Sequence, residues 1–336
     1  MKNLLIFFLA LVLWMQVYPN AAQPGFWNAG GTGTFSLLYP EDSATYRKIQ
    51  MVREKVSIQL YRGYAVVRGL YHMYNDTGET LNIRVGYPLN ASYEGSSNYR
   101  EEIRFDSLYS LRALTNGRME EIIAQPFSGL ENDNWYVWNT AFAPHDTTVV
   151  EVFFIVNTNE TSISQGYSRD HNNGFIYLLE TGATWKQPIL QGEIRLRLMD
   201  GLTPDDIRGI APGDAFMLHE DGKTLMYQFS DLSPTGENNI VIAYTPAIDN
   251  FDFGKVLLQQ TALFDVVAAF SEELLPAGNF FLHSFGDPFE VSDSSGTYVG
   301  VLFLAIIYGI PLLAIFAVIF VGYLVFRRLR RNKKIS

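Results

Sequence analysis

Val56-Ser57-Ile58-Gln59-Leu60, then 65–74, then Leu81-Asn82-Ile83-Arg84-Val85-Gly86-Tyr87 place apolar and polar side chains largely in alternation. A period of two is the pattern of a strand with one face buried, because successive side chains point to opposite faces. Between the second and third runs, Asn75-Asp76-Thr77-Gly78 supplies turn residues. Pro88 closes the third, since proline cannot donate to a ladder. Strand, hairpin and return at the start of the pattern predict an antiparallel β fold.

Further strands are expected at 102–105, 108–114, 135–140 and 149–156, with no helical period between them. This places a first β-sandwich-like unit at 45–162. The polar stretch 157–173, rich in Asn, Ser, Thr and Gly, predicts a boundary. A second β-rich unit is expected at 172–250, with strands near 175–180, 193–198, 225–229 and 240–244. Its connecting segment 201–222 carries Asp205, Asp206, Asp214, Glu220 and Asp221. No run there has the ligand spacing of a calcium loop, so a solvated acidic face is expected. A helix is expected at 253–275, with Asp252 as its acidic N-terminal group. Its apolar residues Leu257, Leu263, Phe264, Val267, Phe270 and Leu274 nearly encircle it, as for a helix packed on the second unit or lying in a membrane interface. A linker at 276–297 follows.

The two ends predict where these units reside. Lys2, the apolar run 4–15 and the small-residue exit Asn20-Ala21-Ala22 read as a signal peptide over 1–22, with cleavage after Ala22 or retention as an anchor. Residues 23–44 read as a flexible start. The uncharged segment 298–326 exceeds the ~20 residues that cross a hydrocarbon core, and Pro311 is expected to kink it. Arg327, Arg328, Arg330, Arg331, Lys333 and Lys334 follow in the tail 327–336 with no acidic residue among them, a stop-transfer signal that keeps the tail cytoplasmic. A single pass with an extracytoplasmic body at the cell membrane is therefore expected.

Composition narrows the chemistry. Lys and Arg number 25 against 35 Asp and Glu, a net charge of −10, and the intervening chain is more acidic still once Lys2 and the tail are set aside. Nucleic acid is an unfavourable partner for such a surface. Cysteine is absent, which excludes disulfides, thiol catalysis and cysteine-ligated metal. It also favours a bacterial envelope protein over a eukaryotic ectodomain. Asn75-Asp76-Thr77, Asn90-Ala91-Ser92 and Asn159-Glu160-Thr161 match the glycosylation acceptor pattern.

The five histidines, His72, His145, His171, His219 and His283, stand far apart, so no metal-binding pair is signalled. There is no GxSxG elbow, and Gly30-Gly31-Thr32-Gly33 lacks the lysine of a phosphate loop. No catalytic, cofactor-binding or metal-binding residue is assigned. Aromatics are the unusual supply, at 14% of the chain. In Trp135-Tyr136-Val137-Trp138, Tyr136 and Trp138 share one strand face and Trp135 the other, which makes Trp135, Tyr136, Trp138 and Trp185 the candidate interaction surface. Filling the β cores is the competing role for these rings.

Tyr177-Leu178-Leu179-Glu180-Thr181-Gly182-Ala183-Thr184-Trp185-Lys186-Gln187-Pro188-Ile189, with the upstream Gly63-Tyr64-Ala65-Val66-Val67-Arg68-Gly69 and Tyr87-Pro88, resembles a bacterial family of exported, membrane-anchored all-β domains of unknown function. The resemblance covers residues 45–245 and implies an all-β exported domain without supplying an active-site residue. The expected role is a membrane-anchored interaction or structural module, with the lipid bilayer and an envelope protein or glycan as partners. The competing expectation is a glycan-binding protein or a hydrolase using carboxylates of the acidic segment.

Overall fold

The alternation at 56–60 and 65–74 forms one long hairpin. Its two arms turn through Arg62-Gly63, where Gly63 holds φ 93, a left-handed conformation that glycine adopts at little cost. The computed structural model describes residues 25–27, 30–31, 43–88, 109–126, 134–159, 161–165, 168–274, 278–291, 302 and 305–332. The expected leader, the strand at 102–105, most of 23–44, part of the 276–297 linker, and Lys333 and Lys334 lie outside the described residues.

In chain order the strands are β1 (Gly25–Trp27), β2 (Gly30–Gly31), β3 (Ile49–Tyr61), β4 (Tyr64–Asn75), β5 (Leu81–Pro88), β6 (Tyr109–Thr115), β7 (Arg118–Met119), β8 (Ile123–Pro126) and β9 (Asn134–Phe142). They continue as β10 (Thr147–Asn157), β11 (Ser162–Gln165), β12 (Ser168–Tyr177), β13 (Ile189–Leu198), β14 (Ile207–Ala211), β15 (Met217–His219), β16 (Thr224–Leu232), β17 (Ile240–Pro246) and β18 (Phe280–Leu282). The helices are α1 (Ser43–Tyr46), α2 (Phe253–Leu257), α3 (Gln260–Glu272) and α4 (Ile310–Asn332). The chain is thus mainly β, with few helices and one long apolar helix near its C-terminus.

A nine-stranded sheet runs β18-β15-β16-β13-β3-β4-β10-β6-β7. A second sheet runs β1-β11-β12-β17-β14 with β2 on β12, and β5-β9-β8 form a small third sheet. This differs from the expected division into units 45–162 and 172–250. β13 pairs in parallel with β3, from Gly192 opposite Glu54 to Leu198 opposite Leu60, so strands from both sides of the expected boundary share one sheet. The physical reason is that β3 is buried on both faces along its second half, and only a neighbour on each edge satisfies its backbone groups there.

The inner core lies between the two large sheets. Val56, Ile58, Leu60, Val67, Phe154, Ile194 and Leu196 of the nine-stranded sheet meet Phe175, Ile242 and Tyr244 of the other, all nearly inaccessible. The opposite face of the nine-stranded sheet carries a second cluster, in which Tyr61, Val66, Phe153 and Ile155 meet Phe253, Leu263, Phe264 and Val267. The helical segment therefore packs mainly on β3, β4 and β10, strands of the expected first unit, while Arg195 and Arg197 of β13 reach its C-terminal end. It is also broken into α2 and α3 by a turn at Leu258-Gln259. Asp252 caps α2, accepting from Lys255 N at 3.4 Å, as the sequence led one to expect. Leu274 is exposed beyond the helix end.

The segment 291–336 belongs to a separate unit. Within it, Ala305–Arg328 has a mean hydropathy of 2.5 and is long and apolar enough to span a membrane. A π-helical turn at Ala305–Gly309 precedes Pro311 in the first turn of α4. That is a local adjustment of the kind that accommodates a missing proline N–H.

Candidate functional site

The site begins with an irregularity in β3. Met51 pairs with Met73 of β4, yet Arg53 pairs with His72, leaving Val52 as one extra residue. Such a bulge locally re-aims side chains. Ile49 and Met51 face the inner core before it, and Val56, Ile58 and Leu60 face the inner core after it. Residue parity along the strand therefore changes at Val52, which sends Glu54 inward and leaves Arg53 exposed on the outer face.

Inward, Glu54 is 3% exposed. Tyr177 of β12 donates to its Oε1 at 2.7 Å, and the Tyr71 and Tyr177 hydroxyls lie 3.0 Å apart. Oε2 has no hydrogen-bond partner. Burial pushes the Glu54 carboxyl up to about 7, against the opposing pull of the Tyr177 hydroxyl. The acid thus sits between the two sheets, largely neutral below neutral pH.

Outward, the same face divides in two. One half is covered by α3, whose C-terminal carbonyls are held by cations from the sheet: Lys55 donates to Ser271 O, Arg68 Nη1 to Ala268 O at 3.4 Å, and Arg195 Nη1 to Glu273 O at 2.8 Å. Cations at a helix C-terminus oppose its partial negative charge. Arg68 also pairs with Glu151 at 2.5 Å and Glu272 at 2.6 Å, and Arg197 with Glu273 at 2.7 Å. The hydrogen bond from Arg68 is the main cause holding the Glu272 carboxyl below its ordinary range.

Beyond α3 lies a groove of 460 Å³ lined by Arg53, Glu54, Gln191, Gly192, Glu193, Gln228, Phe229 and Ser230. At its edge the Phe229 ring lies directly over Gly192, where a Cβ would come within 1.9 Å of Phe229 Cζ. Glu193 is engaged, accepting from Arg195 Nε at 2.6 Å and from Gln228 Nε2 at 3.2 Å. Among the described residues, Arg53 makes no ion pair or hydrogen bond. It works against neighbouring positive charge: burial and then Arg53 push the His72 imidazole down, and burial, Arg195 and Arg53 act the same way on the Lys55 ammonium.

Glu54 and Glu193 both line the groove, but Glu54 reaches Tyr177 in the opposing sheet while Glu193 bonds Arg195 on the outer face. Carboxylates on opposite faces cannot flank one glycosidic bond as acid and base. The acidic segment offers no better pair. It contains β14 and β15 where a connecting segment is expected, and two of its carboxylates serve local structure. Asp206 closes a capping box with Thr203 and pairs with Arg62 at 3.2 Å, while Asp221 accepts from Lys223 N and Thr224 N at 2.7 and 2.8 Å. Among the described residues, no group of three or more His, Asp or Glu could hold a metal ion.

The aromatic candidates take up the packing role. Trp138 is 2% exposed, so it presents no surface, because β9 turns this face onto the inner core. Tyr136 and Trp185 are partly buried against the same cluster, with Trp185 edge-on to Tyr46 at 5.6 Å and tilted against Phe142 at 6.4 Å. Trp135 lies in β9, but its side chain is outside the described residues. Arg327, Arg328, Arg330 and Arg331 lie within α4. Of the glycosylation patterns, Asn75 is fully buried and its amide donates to Glu79 O, Phe142 O and Ala143 O, leaving no free nitrogen for a glycan.

No family model matches the chain, and no curated protein matches it. Among solved structures, it is similar to a candidate nutrient-binding protein from Legionella pneumophila, at 12% identity and TM-score 0.41, over 65% of this chain and 70% of that one. An M1 zinc metallopeptidase from Deinococcus radiodurans matches at 9% identity and TM-score 0.33, over 59% and 42%. Yeast LTA4 hydrolase matches at 8% identity and TM-score 0.33, over 60% and 29%. The chain spans less than half the length of the latter two, and all three likenesses are too remote to carry chemistry to it.

Proposed function

We propose that the chain is a single-pass membrane protein whose β body is exported under the leader 1–22 and held outside the cytoplasm as an interaction or structural module of the cell envelope. The observation that carries this reading is Ala305–Arg328, long and apolar enough to span a membrane, continuing into Arg327, Arg328, Arg330 and Arg331. A cationic flank of this kind stays on the cytoplasmic side. The body contributes the second half of the reading: among the described residues, Trp138, Tyr136 and Trp185 pack against the core, and the groove beside Arg53 is an open polar feature. A module that binds or organises an envelope component needs such a surface and no catalytic pair.

The absence of cysteine makes the topology directly testable. Lys223→Cys, on an exposed turn of the body, is expected to react with a membrane-impermeant maleimide in intact spheroplasts. Ser336→Cys is expected to react only after lysis. The reverse labelling pattern would sink the reading. Crosslinking in intact cells, with purification through a C-terminal tag, then identifies the envelope component.

A further inference from the structure

We propose that the groove beside the β3 bulge is a binding site for a small ligand bearing a carboxylate flanked by neutral hydrogen-bonding groups, with Arg53 as its anion anchor. Three observations converge on it. The bulge at Val52 breaks the strand register immediately before Arg53, and bulges recur where a side chain must be re-aimed for function. Arg53 is exposed, lines the 460 Å³ groove and pairs with no carboxylate among the described residues, although the chain carries an excess of acid, 35 acidic against 25 basic residues. In such a chain a cation finds a partner easily. Here, though, of the two carboxylates lining the groove, Glu193 is already taken by Arg195 and Gln228, and Glu54 is turned inward to Tyr177.

The surroundings of Arg53 add to the case. His72, its cross-strand partner, has a buried Nδ1 with no hydrogen-bond partner. Arg53 also raises the electrostatic cost of charge on both His72 and Lys55. A carboxylate accepting hydrogen bonds from the Arg53 guanidinium offsets that mutual repulsion, and planar guanidinium matches planar carboxylate by two parallel hydrogen bonds. Gln191, Gln228 and Ser230 line the same groove and supply amide and hydroxyl groups for the uncharged remainder of the ligand. A volume of 460 Å³ lies within the range of sites that hold small molecules, roughly 300–1,000 Å³. An acidic sugar and the C-terminus of a short peptide share this chemistry. This inference deepens the interaction-module reading and rests on the body being a binding module.

The test uses the full chain in lipid nanodiscs, titrated calorimetrically with D-glucuronate against D-glucose, and with dialanine against dialanine amide. Saturable binding of at least one carboxylate probe, with its neutral counterpart much weaker, is expected. Arg53→Gln should weaken that binding roughly tenfold or more, Arg53→Lys should restore part of it, and added salt should weaken it. The probe that binds tells the two ligand sources apart. Equal binding of the charged and neutral members of each pair, undiminished binding by Arg53→Gln, or binding of neither carboxylate would overturn the proposal. Because Arg53 is exposed, unchanged thermal unfolding of Arg53→Gln separates a lost contact from a lost fold. The topology labelling is independent of all these outcomes, so failure of the carboxylate site and failure of the membrane-module reading are distinguishable.

Discussion

Replacing Glu54 with Gln tests whether the acid between the sheets controls stability. Folding raises its carboxyl from an ordinary 4.5 to about 7, and each pH unit corresponds to about 1.4 kcal/mol, so the full effect is about 3 kcal/mol. The sign follows from proton counting. Below pH 4.5 both folded and unfolded chains hold the proton and no penalty exists. Between 4.5 and about 7 the unfolded chain has released it while the folded chain retains it, so stability falls as pH rises. Above about 7 the loss is complete. His72 acts in the opposite sense, because its folded pKa is depressed and its contribution is lost as pH falls. The informative quantity is therefore the difference between wild type and Glu54→Gln, in which His72 cancels. Urea unfolding of the detergent-solubilised full chain, followed by tryptophan fluorescence at pH 4, 6 and 8, measures it. The variant keeps an acceptor for Tyr177 and is expected to gain about 3 kcal/mol on wild type between pH 4 and pH 8. A difference that stays constant with pH would refute the reasoning.

Two further substitutions test the packing around the site. Gly192→Ala places a Cβ within 1.9 Å of Phe229 Cζ, and is expected to cost about 1–3 kcal/mol by overpacking. Adding Phe229→Leu should recover part of that loss, as read from urea midpoints. Phe264→Ala removes the ring that packs 5.4 Å from Phe153 and 4.9 Å from the Arg112 guanidinium. It is expected to cost about 3–5 kcal/mol, with hydrogen exchange rising first in α3.

The strands with strong alternation were legible in the sequence. The runs at 56–60, 65–74, 149–156 and 240–244 fall within β3, β4, β10 and β17, and the helix start at Asp252 was marked by its cap. Three features were hidden for different physical reasons. The pairing of β13 with β3 is a long-range choice that no local pattern encodes. β14, β15 and β18 are short strands whose acidic or glycine-rich flanks dominate any window. The first half of β3 reads Ile49-Gln50-Met51-Val52-Arg53-Glu54-Lys55, where the bulge breaks the period and three successive charges look like a solvated loop. The site was lost with it, since Arg53 and Glu54 are that break. Asn116-Gly117, by contrast, is a turn signal legible in the sequence. Both residues hold positive φ, 49 and 76, and close the β6–β7 hairpin as this dipeptide favours.

The bulge makes an unusual claim about deletions. Met51 opposite Met73, Arg53 opposite His72 and Glu54 opposite Tyr71 form a regular ladder once Val52 is removed, with Met51 and Glu54 still inward and Arg53 outward. Deleting Val52 should therefore keep the buried set intact, and the unfolding free energy is expected to stay within about 1 kcal/mol of wild type. Deleting Ser57, five residues later in the same strand, instead forces a one-residue slip. Either Ile58 and Leu60 or Val56 and Glu54 then exchange faces, which should abolish the cooperative unfolding transition. If both deletions unfold the protein alike, Val52 is not an insertion into an otherwise continuous register, and the outward placement of Arg53 needs another cause. If the Val52 deletion folds but binds carboxylate probes more weakly, the local twist of the bulge, beyond the parity it sets, is what aims the guanidinium into the groove.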